Sequence, residues 1–458
     1  MAKSAPLPRA RALALDCVDD ILTHGNDLQA ALDARLRGTR VAPADAGLCT
    51  ELVYGYIRLK LRVDALLGLF LKNAEKLPVR FRLALGLAAY EMLFLDRIPV
   101  YASVDWCVAY GKQQFSAGLG KLANAVLRNL DRLGEASHSP ESVTTASMDR
   151  ATALAIWYSC PEWIVRLWLE ACGEERTLLL LTAGISPAPV GLRVNPAPPA
   201  PATTADAQHL LETLGSHEHC LRQQGWGLLF PAGSTPTGMK TMLTEGRISR
   251  QSMASQQALT MAQPDRWEGP VWDCCCGRGG KTTALLEAGI PVRFASDTSR
   301  ERLRGMREEM ERLGLESPFS LLHSAAEPVP DRVWEETGAT AFGTVLADVP
   351  CSGLGTLSRR PDARYHRTPD AVAALCRTQA AILDNAYAHI RPGGRVVYMT
   401  CTVNPAENGK QVAAFLQRTP GAICELEWET ASHGTASEPD MAQAAFGEFF
   451  YVALLRRG

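Results

Sequence analysis

The chain of 458 residues has no apolar run that approaches the ~18 to 20 residues needed to cross a membrane as a helix. Its first residues also lack the apolar core of a secretory signal. With 47% hydrophobic and 21% charged residues, the composition is typical of a globular protein. These features together predict a cytoplasmic protein that does not act at a membrane.

No two cysteines stand at Cys-x-x-Cys spacing, although the sequence contains 13 cysteines. An odd number of thiols in a long chain without secretory features favours reduced cysteines over a disulfide framework. A short run of metal-ligand types, His217 to Cys220, lies in a polar stretch and lacks a second ligand pair. We therefore predict no metal site.

The chain also lacks an excess of charge of either sign, with 47 basic and 49 acidic residues and a pI near 6.5. Global charge therefore gives no indication of nucleic-acid binding. Basic residues cluster locally instead. One cluster shortly after Cys351 is a candidate for contacts with backbone phosphates. It consists of Arg359, Arg360, Arg364 and Arg367.

The length predicts two or three domains. Apolar residues at helical spacing predict an all-helical domain over residues 8–135, and residues 150–260 are mixed and form a connecting subdomain. Over residues 261–458, short apolar runs alternate with helical segments, which is typical of a parallel sheet covered on both faces. The expected fold class is α/β, with a Rossmann-like domain after a helical one. The run 446–455 is predicted to close the sheet as an edge strand.

A glycine-rich loop, Cys275 to Thr282, follows the first predicted strand of this domain. It is not a phosphate-binding P-loop, because Cys275 occupies the position of the first glycine. It is not a dinucleotide fingerprint either, because Thr282 occupies the position of the third glycine. Asp297 lies 20 residues after Gly277, a spacing typical of a carboxylate that accepts from ribose hydroxyls. A nucleoside cofactor with a compact charged tail fits this pattern, and S-adenosylmethionine is the candidate.

Two cysteines, Cys351 and Cys401, each follow a predicted strand. Ligand crevices of open α/β sheets lie at such strand ends, so we expect the two thiols to meet although they are 50 positions apart. A thiolate that adds to carbon 6 of cytosine activates carbon 5 for methylation, and the thiol must leave afterwards. This chemistry alone does not decide which thiol attacks. Asp348, three residues before Cys351, is expected to lie near the base and the cofactor.

Several motifs resemble those of RsmB-like (Fmu/Sun) RNA 5-methylcytosine methyltransferases with a NusB-like N-terminal domain. The resemblance covers nearly the whole chain, and its two cysteine motifs are the most specific part. The matching segments are Asp348-Val-Pro-Cys351-Ser-Gly353, Thr400-Cys401-Thr402, Glu407-Asn408, Gly447-Glu-Phe-Phe450, Leu93 to Pro99 and Asn124 to Arg128.

The resemblance implies a role for residues at the matching positions. Cys401 would be the nucleophile, and Cys351 would aid release of the methylated base. The implied cofactor is S-adenosylmethionine, and the implied partner is RNA, most directly small-subunit ribosomal RNA bound in part by the helical domain. No obligate protein partner is inferred. The cofactor site would be lined by Cys275, Cys276, Gly277, Arg278, Gly279, Gly280, Lys281, Asp297 and Asp348.

Three alternatives remain open. Transfer RNA is a second possible substrate within the same class. A non-catalytic RNA-binding protein with a degenerate methyltransferase domain is suggested by the cofactor loop, where Cys276, Gly277 and Arg278 replace the family's Ala-Ala-Pro. A methyltransferase acting on a protein or small molecule would leave both thiols without a role, because methylation of a heteroatom needs no covalent adduct.

Overall fold

The computed structural model describes residues 7–37, 41–430 and 447–458. The chain divides into two compact units. The first contains the residues up to Ile185 together with a short later segment, Arg360–His366. The second contains Ser186–Arg359 and Arg367–Gly458.

The first unit is helical. Its apolar residues recur at the helical spacing seen in the sequence, and they pack into one core. Glycines allow close approach inside it, because a Cβ at Gly55 would collide with Tyr90 and one at Gly86 would collide with Tyr56. The helices are α1 (Arg9–His24), α2 (Leu28–Arg37), α3 (Pro43–Gly68), α4 (Val79–Phe94), α5 (Val100–Gln114), α6 (Ala117–Asp131), α7 (Arg150–Trp157) and α8 (Glu162–Ile185, interrupted at Gly173).

The bounds of this unit differ from the predicted domain, which ended at residue 135. Helices α7 and α8 belong to the helical unit and not to the connecting segment that follows. The segment Arg360–His366 also belongs to it, although it follows the Cys351 motif by only a few residues. Its central Arg364 is 1% exposed, because the guanidinium donates to the carbonyls of Ser159 (2.8 Å) and Gly184 (2.6 Å).

The second unit begins with a small antiparallel sheet in the order β2-β3-β1-β4. Its apolar face packs on the buried sides of two short helices. Residues 186–250 therefore have a hydrophobic core of their own. The elements are β1 (Val190–Val194), α9 (Thr204–Gly215), β2 (Arg222–Gln224), β3 (Gly227–Phe230), α10 (Met239–Thr244) and β4 (Ile248–Arg250).

A larger sheet follows, in the order β10-β11-β9-β8-β5-β6-β7. Strands β9, β8, β5, β6 and β7 run parallel to one another. Strand β11 is antiparallel to both of its neighbours, β9 and β10. The elements are α11 (Met253–Met261), β5 (Val271–Asp273), α12 (Gly280–Glu287), β6 (Val292–Asp297), α13 (Arg300–Leu313), β7 (Phe319–Leu322), α14 (Asp331–Thr337), β8 (Phe342–Asp348), α15 (Ala363–His366, in the helical unit), α16 (Pro369–Ala388), β9 (Ile390–Thr400), α17 (Gly409–Arg418), β10 (Ala422–Glu429) and β11 (Tyr451–Arg457). This confirms the predicted Rossmann-like domain after a helical one.

The C-terminal strand is not at the edge of the sheet, so that prediction was wrong. Strand β11 lies between β10 and β9, with Tyr451 paired to Thr400 and to Glu429. Its residues 451–455 are buried, which an interior strand with neighbours on both sides allows. Phe446, the first residue of the predicted run, lies outside the described residues.

Among the described residues, no helix is long and apolar enough to span a lipid bilayer.

Candidate active site

The candidate site lies where the order of the parallel strands reverses direction. Strand β5 is flanked by β6 on one side and β8 on the other, so the loop after β5 starts at a topological switch point. The amide of Cys274 donates to the Leu346 carbonyl of β8 (2.9 Å), and the amide of Cys276 donates to the Ser296 carbonyl of β6 (3.0 Å). These bonds hold the glycine-rich loop between the ends of both neighbours.

The two cysteines meet as predicted. The Sγ atoms of Cys351 and Cys401 are 3.3 Å apart, and the Cys401 amide donates to the Cys351 sulfur at 3.4 Å. Cys351 follows β8 by a few residues and Cys401 follows β9 directly, and these strands are parallel neighbours. The carboxyl ends of adjacent parallel strands therefore place both half-buried thiols in one crevice.

The environment of Cys351 favours its protonated form. The hydrogen bond with Cys401 raises the pKa of Cys351, and burial and the charges of Cys401 and Glu407 raise it further. At neutral pH the Cys351 thiol therefore keeps its proton. As a protonated thiol it can donate a hydrogen bond to the second sulfur, 3.3 Å away.

A partly buried ion pair lies near the thiols. Lys281 Nζ is 2.5 Å from Asp348 Oδ2, and its ammonium lies 5.3 Å from the centre of the Phe450 ring. Burial lowers the pKa of Lys281, but Asp348 and then Cys401 more than offset this, and the net pKa is raised. Lys281 is thus a fixed cation between the cofactor loop and the thiol crevice.

The glycine-rich loop keeps open space above the start of α12. Gly277 (φ 57°) and Gly279 (φ 82°) adopt left-handed conformations that favour glycine. A Cβ at Gly279 would collide with Met306, whereas one at Gly277 or Gly280 would meet no atom within 4 Å. A ligand can therefore approach the backbone amides at the N-terminus of this helix.

Asp297 supports the same loop from the end of β6. One carboxylate oxygen accepts from the Gly277 amide (3.1 Å) and the other from the Ser299 amide (2.7 Å). Asp297 is 6% exposed, so its carboxylate is fixed beside the open space.

The remaining predicted loop residues do not all face the open space. Cys276 is buried against Met306 and Met310, and burial raises the pKa of its thiol. Arg278 is exposed and pairs with Glu301 at 2.7 Å. Cys275 is half-buried beside the buried Cys274. For Arg278, only the backbone remains suited to the predicted cofactor contact, whereas the Cys276 amide is already bonded to the Ser296 carbonyl.

Asp273, at the end of β5, is a site residue absent from the predicted set. It is 1% exposed, and Oδ2 accepts from the Thr282 hydroxyl (2.7 Å). Oδ1 is buried and has no hydrogen-bond partner in the part of the chain that the structure describes. Burial, opposed by the Thr282 hydrogen bond, raises the pKa of Asp273 to about 7, and Asp348 adds to the rise. An acid at a strand end directly before a glycine loop was the signal in the sequence.

The site fits S-adenosylmethionine in charge and shape. The orphaned Asp273 oxygen suits the ammonium of an amino-acid tail, and the open glycine loop suits close contact with backbone amides. The parallel sheet with this loop at its switch point defines an S-adenosylmethionine-dependent methyltransferase.

The chain belongs to the 16S rRNA methyltransferase RsmB/F family. The family model matches residues 258–456, and the NusB family model matches residues 8–132. A ribosomal RNA small subunit methyltransferase B from Vibrio cholerae serotype O1 is 33% identical, over 98% of this chain and 97% of that protein. A probable ribosomal RNA small subunit methyltransferase B from Synechocystis is 31% identical, over 89% of both chains.

Solved structures show the same fold at lower identity. The crystal structure of PH0851 superimposes with a TM-score of 0.72 at 20% identity, covering 99% of this chain and all of that one. A methyltransferase homolog protein from Pyrococcus horikoshii has a TM-score of 0.51 at 19% identity, and it covers 68% of this chain and all of that one.

The structure contradicts the predicted phosphate-binding arginine cluster after Cys351 at one of its four positions. Arg364 is buried in the helical unit, so the prediction was wrong for this residue. Arg360 pairs with Asp27 inside that unit. Arg359 pairs with Glu448, and Arg367 donates to the Ser352 carbonyl at 2.9 Å.

Proposed function

We propose that the protein methylates carbon 5 of a cytosine in RNA, through a covalent adduct with Cys401. The observation that carries this proposal is the 3.3 Å approach of the Cys351 and Cys401 sulfurs beside the Lys281 and Asp348 pair. Transfer to a nitrogen or oxygen needs no covalent adduct, so two thiols in the crevice favour a carbon acceptor. The names of the relatives from Vibrio cholerae and Synechocystis support small-subunit ribosomal RNA as the substrate.

Cys401 is the attacking group in this mechanism. Its thiolate forms a bond to carbon 6 of cytosine, and the electron pair of the ring double bond moves to carbon 5. Bound S-adenosylmethionine supplies the electrophilic methyl group that the activated carbon 5 accepts. The Lys281 ammonium faces both Cys401 and Asp348, which favours negative charge in the crevice. The target base must be unstacked to reach these groups.

Cys351 assists the release of the product. Water takes the proton from carbon 5, and the electron pair of that bond restores the ring double bond. The bond between sulfur and carbon 6 then breaks, and its electron pair returns to Cys401. The Cys351 thiol retains its proton at neutral pH and contacts this sulfur. It therefore stabilises the departing thiolate by donating a hydrogen bond.

The glycine-rich loop would hold the cofactor. Backbone amides at the start of α12 would approach its charged tail, and Asp273 would accept from its ammonium. Asp297 would accept from the ribose hydroxyls with the lone pairs that its backbone contacts leave free. Asp348 would also line this site. The helical unit contributes to RNA binding, in line with its NusB family match.

Cys351→Ala is expected to leave RNA attached to the protein. Without the donor against Cys401, release slows and turnover falls by about 10²-fold, a typical loss for a single proton-donating group. Wild-type and variant protein are incubated with methyl-labelled S-adenosylmethionine and unmethylated small-subunit ribosomal RNA or transfer RNA. The measurements are label on 5-methylcytosine after digestion and an RNA–protein band that survives denaturation.

Three outcomes of this experiment are distinct. Label on ribosomal cytosine together with a trapped band in the variant supports the proposal. Label on transfer RNA alone moves the substrate assignment to the second candidate within the class. RNA binding by the wild type without label or a trapped band contradicts the catalytic proposal and favours a non-catalytic RNA-binding protein.

Cofactor affinity is expected to weaken as the pH falls below about 7, because a protonated Asp273 cannot pair with an ammonium. The affinity changes by at most about tenfold per pH unit. The stability of the cofactor-free protein depends on pH in the opposite direction. Between pH 3.8 and about 7 its folded state keeps the Asp273 proton that the unfolded chain releases, so its stability declines as the pH rises through this window. Calorimetric titration with S-adenosylhomocysteine checks the affinity, and Asp273→Asn should flatten its pH dependence. Equal slopes in both proteins would contradict the assignment.

A further inference from the structure

Glu407 is a buried carboxylate beside the thiol crevice, with 0% exposure. Its oxygen Oε1 accepts from the Ser352 amide (2.7 Å) and from Gln379 Nε2 (3.0 Å). Oε2 accepts from Asn404 Nδ2 (2.9 Å) and from the Ser352 hydroxyl. Two of these four donors belong to the residue directly after Cys351.

The four donors require a group that only accepts hydrogen bonds. A carboxylate meets this condition with both oxygens. A glutamine in its place would direct an N–H group toward at least two donors. The Ser352 hydroxyl donates its proton to Glu407, so in its contact with the Thr402 hydroxyl (2.7 Å) it accepts. Ser352 and Thr402 are the residues that directly follow the two cysteines.

The neighbouring Asn408 holds the other thiol segment. Its Oδ1 accepts from the Thr400 hydroxyl (2.6 Å), and its Nδ2 donates to the Thr402 carbonyl (3.0 Å). These contacts bracket Cys401 on both sides. Glu407 thus binds the residue that follows Cys351, and the adjacent Asn408 binds the residues on both sides of Cys401.

The charges around Cys351 are unequal. Glu407 and Cys401 are the anionic groups that raise the pKa of Cys351. The Tyr398 hydroxyl donates to the Glu407 carbonyl (2.7 Å), and Arg367 Nε donates to the Ser352 carbonyl. Lys281, which is paired with Asp348, interacts electrostatically with Cys401. Glu407 thus adds negative charge near Cys351, and Lys281 adds positive charge near Cys401.

We propose that Glu407 is a positioning residue that holds the thiols of Cys351 and Cys401 next to each other and makes them unequal in reactivity. Cys351 is the protonated partner, and Cys401 is the attacking sulfur. The role of Cys401 as nucleophile rests on the proposed function. The inequality of the two thiols does not, because it follows from contacts within the crevice, where the Glu407 charge adds to burial and to the contact between the two sulfurs.

The test measures thiol reactivity without RNA or cofactor. Wild-type protein is alkylated with iodoacetamide from about pH 6 to about pH 10, a range that spans the usual cysteine pKa. Mass spectrometry of the peptides gives the rate for each cysteine. Cys401 is expected to react at lower pH than Cys351. The opposite order in the wild type would overturn the proposal, whether or not any variant folds.

Glu407→Gln is expected to lower the pH midpoint for Cys351 alkylation by about one unit, because a nearby negative charge is lost. Glu407→Asp retains the charge and should keep the midpoint high. Glu425→Gln, which removes a partly exposed carboxylate of β10, is the matched control and should leave both profiles unchanged. A folded Glu407→Gln protein with the wild-type profile at both thiols would overturn the proposal.

Steady-state kinetics provide a second readout. Glu407→Gln should lower kcat by about 10²-fold with little change in KM for RNA, as expected when reacting groups are displaced by about 1 Å. Unequal thiols in a wild-type protein that methylates no cytosine would leave this inference standing while the proposed function fails. Active wild-type protein with thiols of equal reactivity would overturn this inference and leave the proposed function standing.

Discussion

Cys401→Ala is expected to abolish methyl transfer, with a loss in kcat of roughly 10⁴ to 10⁶-fold, the range found when a group of a covalent catalytic unit is removed. Without the sulfur there is no bond to carbon 6, and carbon 5 of cytosine remains too weak a nucleophile. Cys351 cannot substitute, because burial and the nearby Glu407 charge still raise its pKa after the contact with Cys401 is lost. Its sulfur is close, but it is not the anion that the reaction needs.

The measurement is single-turnover transfer of labelled methyl to RNA, with binding of cofactor and RNA determined separately. Both affinities should remain near those of the wild type, since the substitution removes one atom from a half-buried side chain. Cys220→Ala is the matched control, because this cysteine lies in the small antiparallel subdomain and contacts the Arg222 carbonyl. A Cys401→Ala protein that methylates RNA at the wild-type rate would refute the covalent mechanism.

Arg193→Met is expected to lower the free energy of unfolding by about 3 to 5 kcal/mol, the usual cost of leaving one partner of a buried ion pair alone. Arg193 Nε is 2.7 Å from Glu287 Oε2, and Nη2 is 2.9 Å from Oε1. The two side chains are 7% and 2% exposed. Strand β1 of the small sheet is thereby joined to α12, the helix that begins at the cofactor loop.

The double variant Arg193→Met/Glu287→Leu separates the loss of the ion pair itself from the cost of leaving the Glu287 carboxylate buried without its partner. Replacing both partners removes the unpaired buried carboxylate, so most of the stability should return. Chemical denaturation followed by tryptophan fluorescence gives the free energies. A single variant as stable as the wild type would show that Glu287 is solvated or finds another donor, contrary to the burial of the pair.

Local patterns in the sequence were sufficient for much of the fold. The predicted alternation of short apolar runs with helical segments over residues 261–458 appears as strands β5, β6, β8 and β9 with helices such as α13 between them. Such elements are predictable because their periodicity is carried by residues adjacent in the chain. The meeting of Cys351 and Cys401 was also predictable, because parallel strands bring their carboxyl ends to one edge of the sheet.

Residues whose partners are distant in the chain were less predictable. The arginines after Cys351 formed a basic patch by composition, yet Arg364 is buried against carbonyls some 180 and 205 positions away. The C-terminal strand was predicted at an edge, because its pattern does not reveal that β10 covers its outer side. Asp273 became a site residue only when burial left one of its oxygens without a hydrogen-bond partner among the residues that the structure describes.

The sequence by itself determined the helical and α/β halves, the glycine loop and the two thiol motifs, since each is encoded in a short stretch whose geometry follows from local spacing. Only the tertiary structure decided which groups stand around those thiols. Glu407 is 55 positions from Ser352, and Lys281 is 67 from Asp348. The chemical inequality of two similar cysteines arises from burial and from charges that distant segments bring together, and no local pattern of residues carries that information.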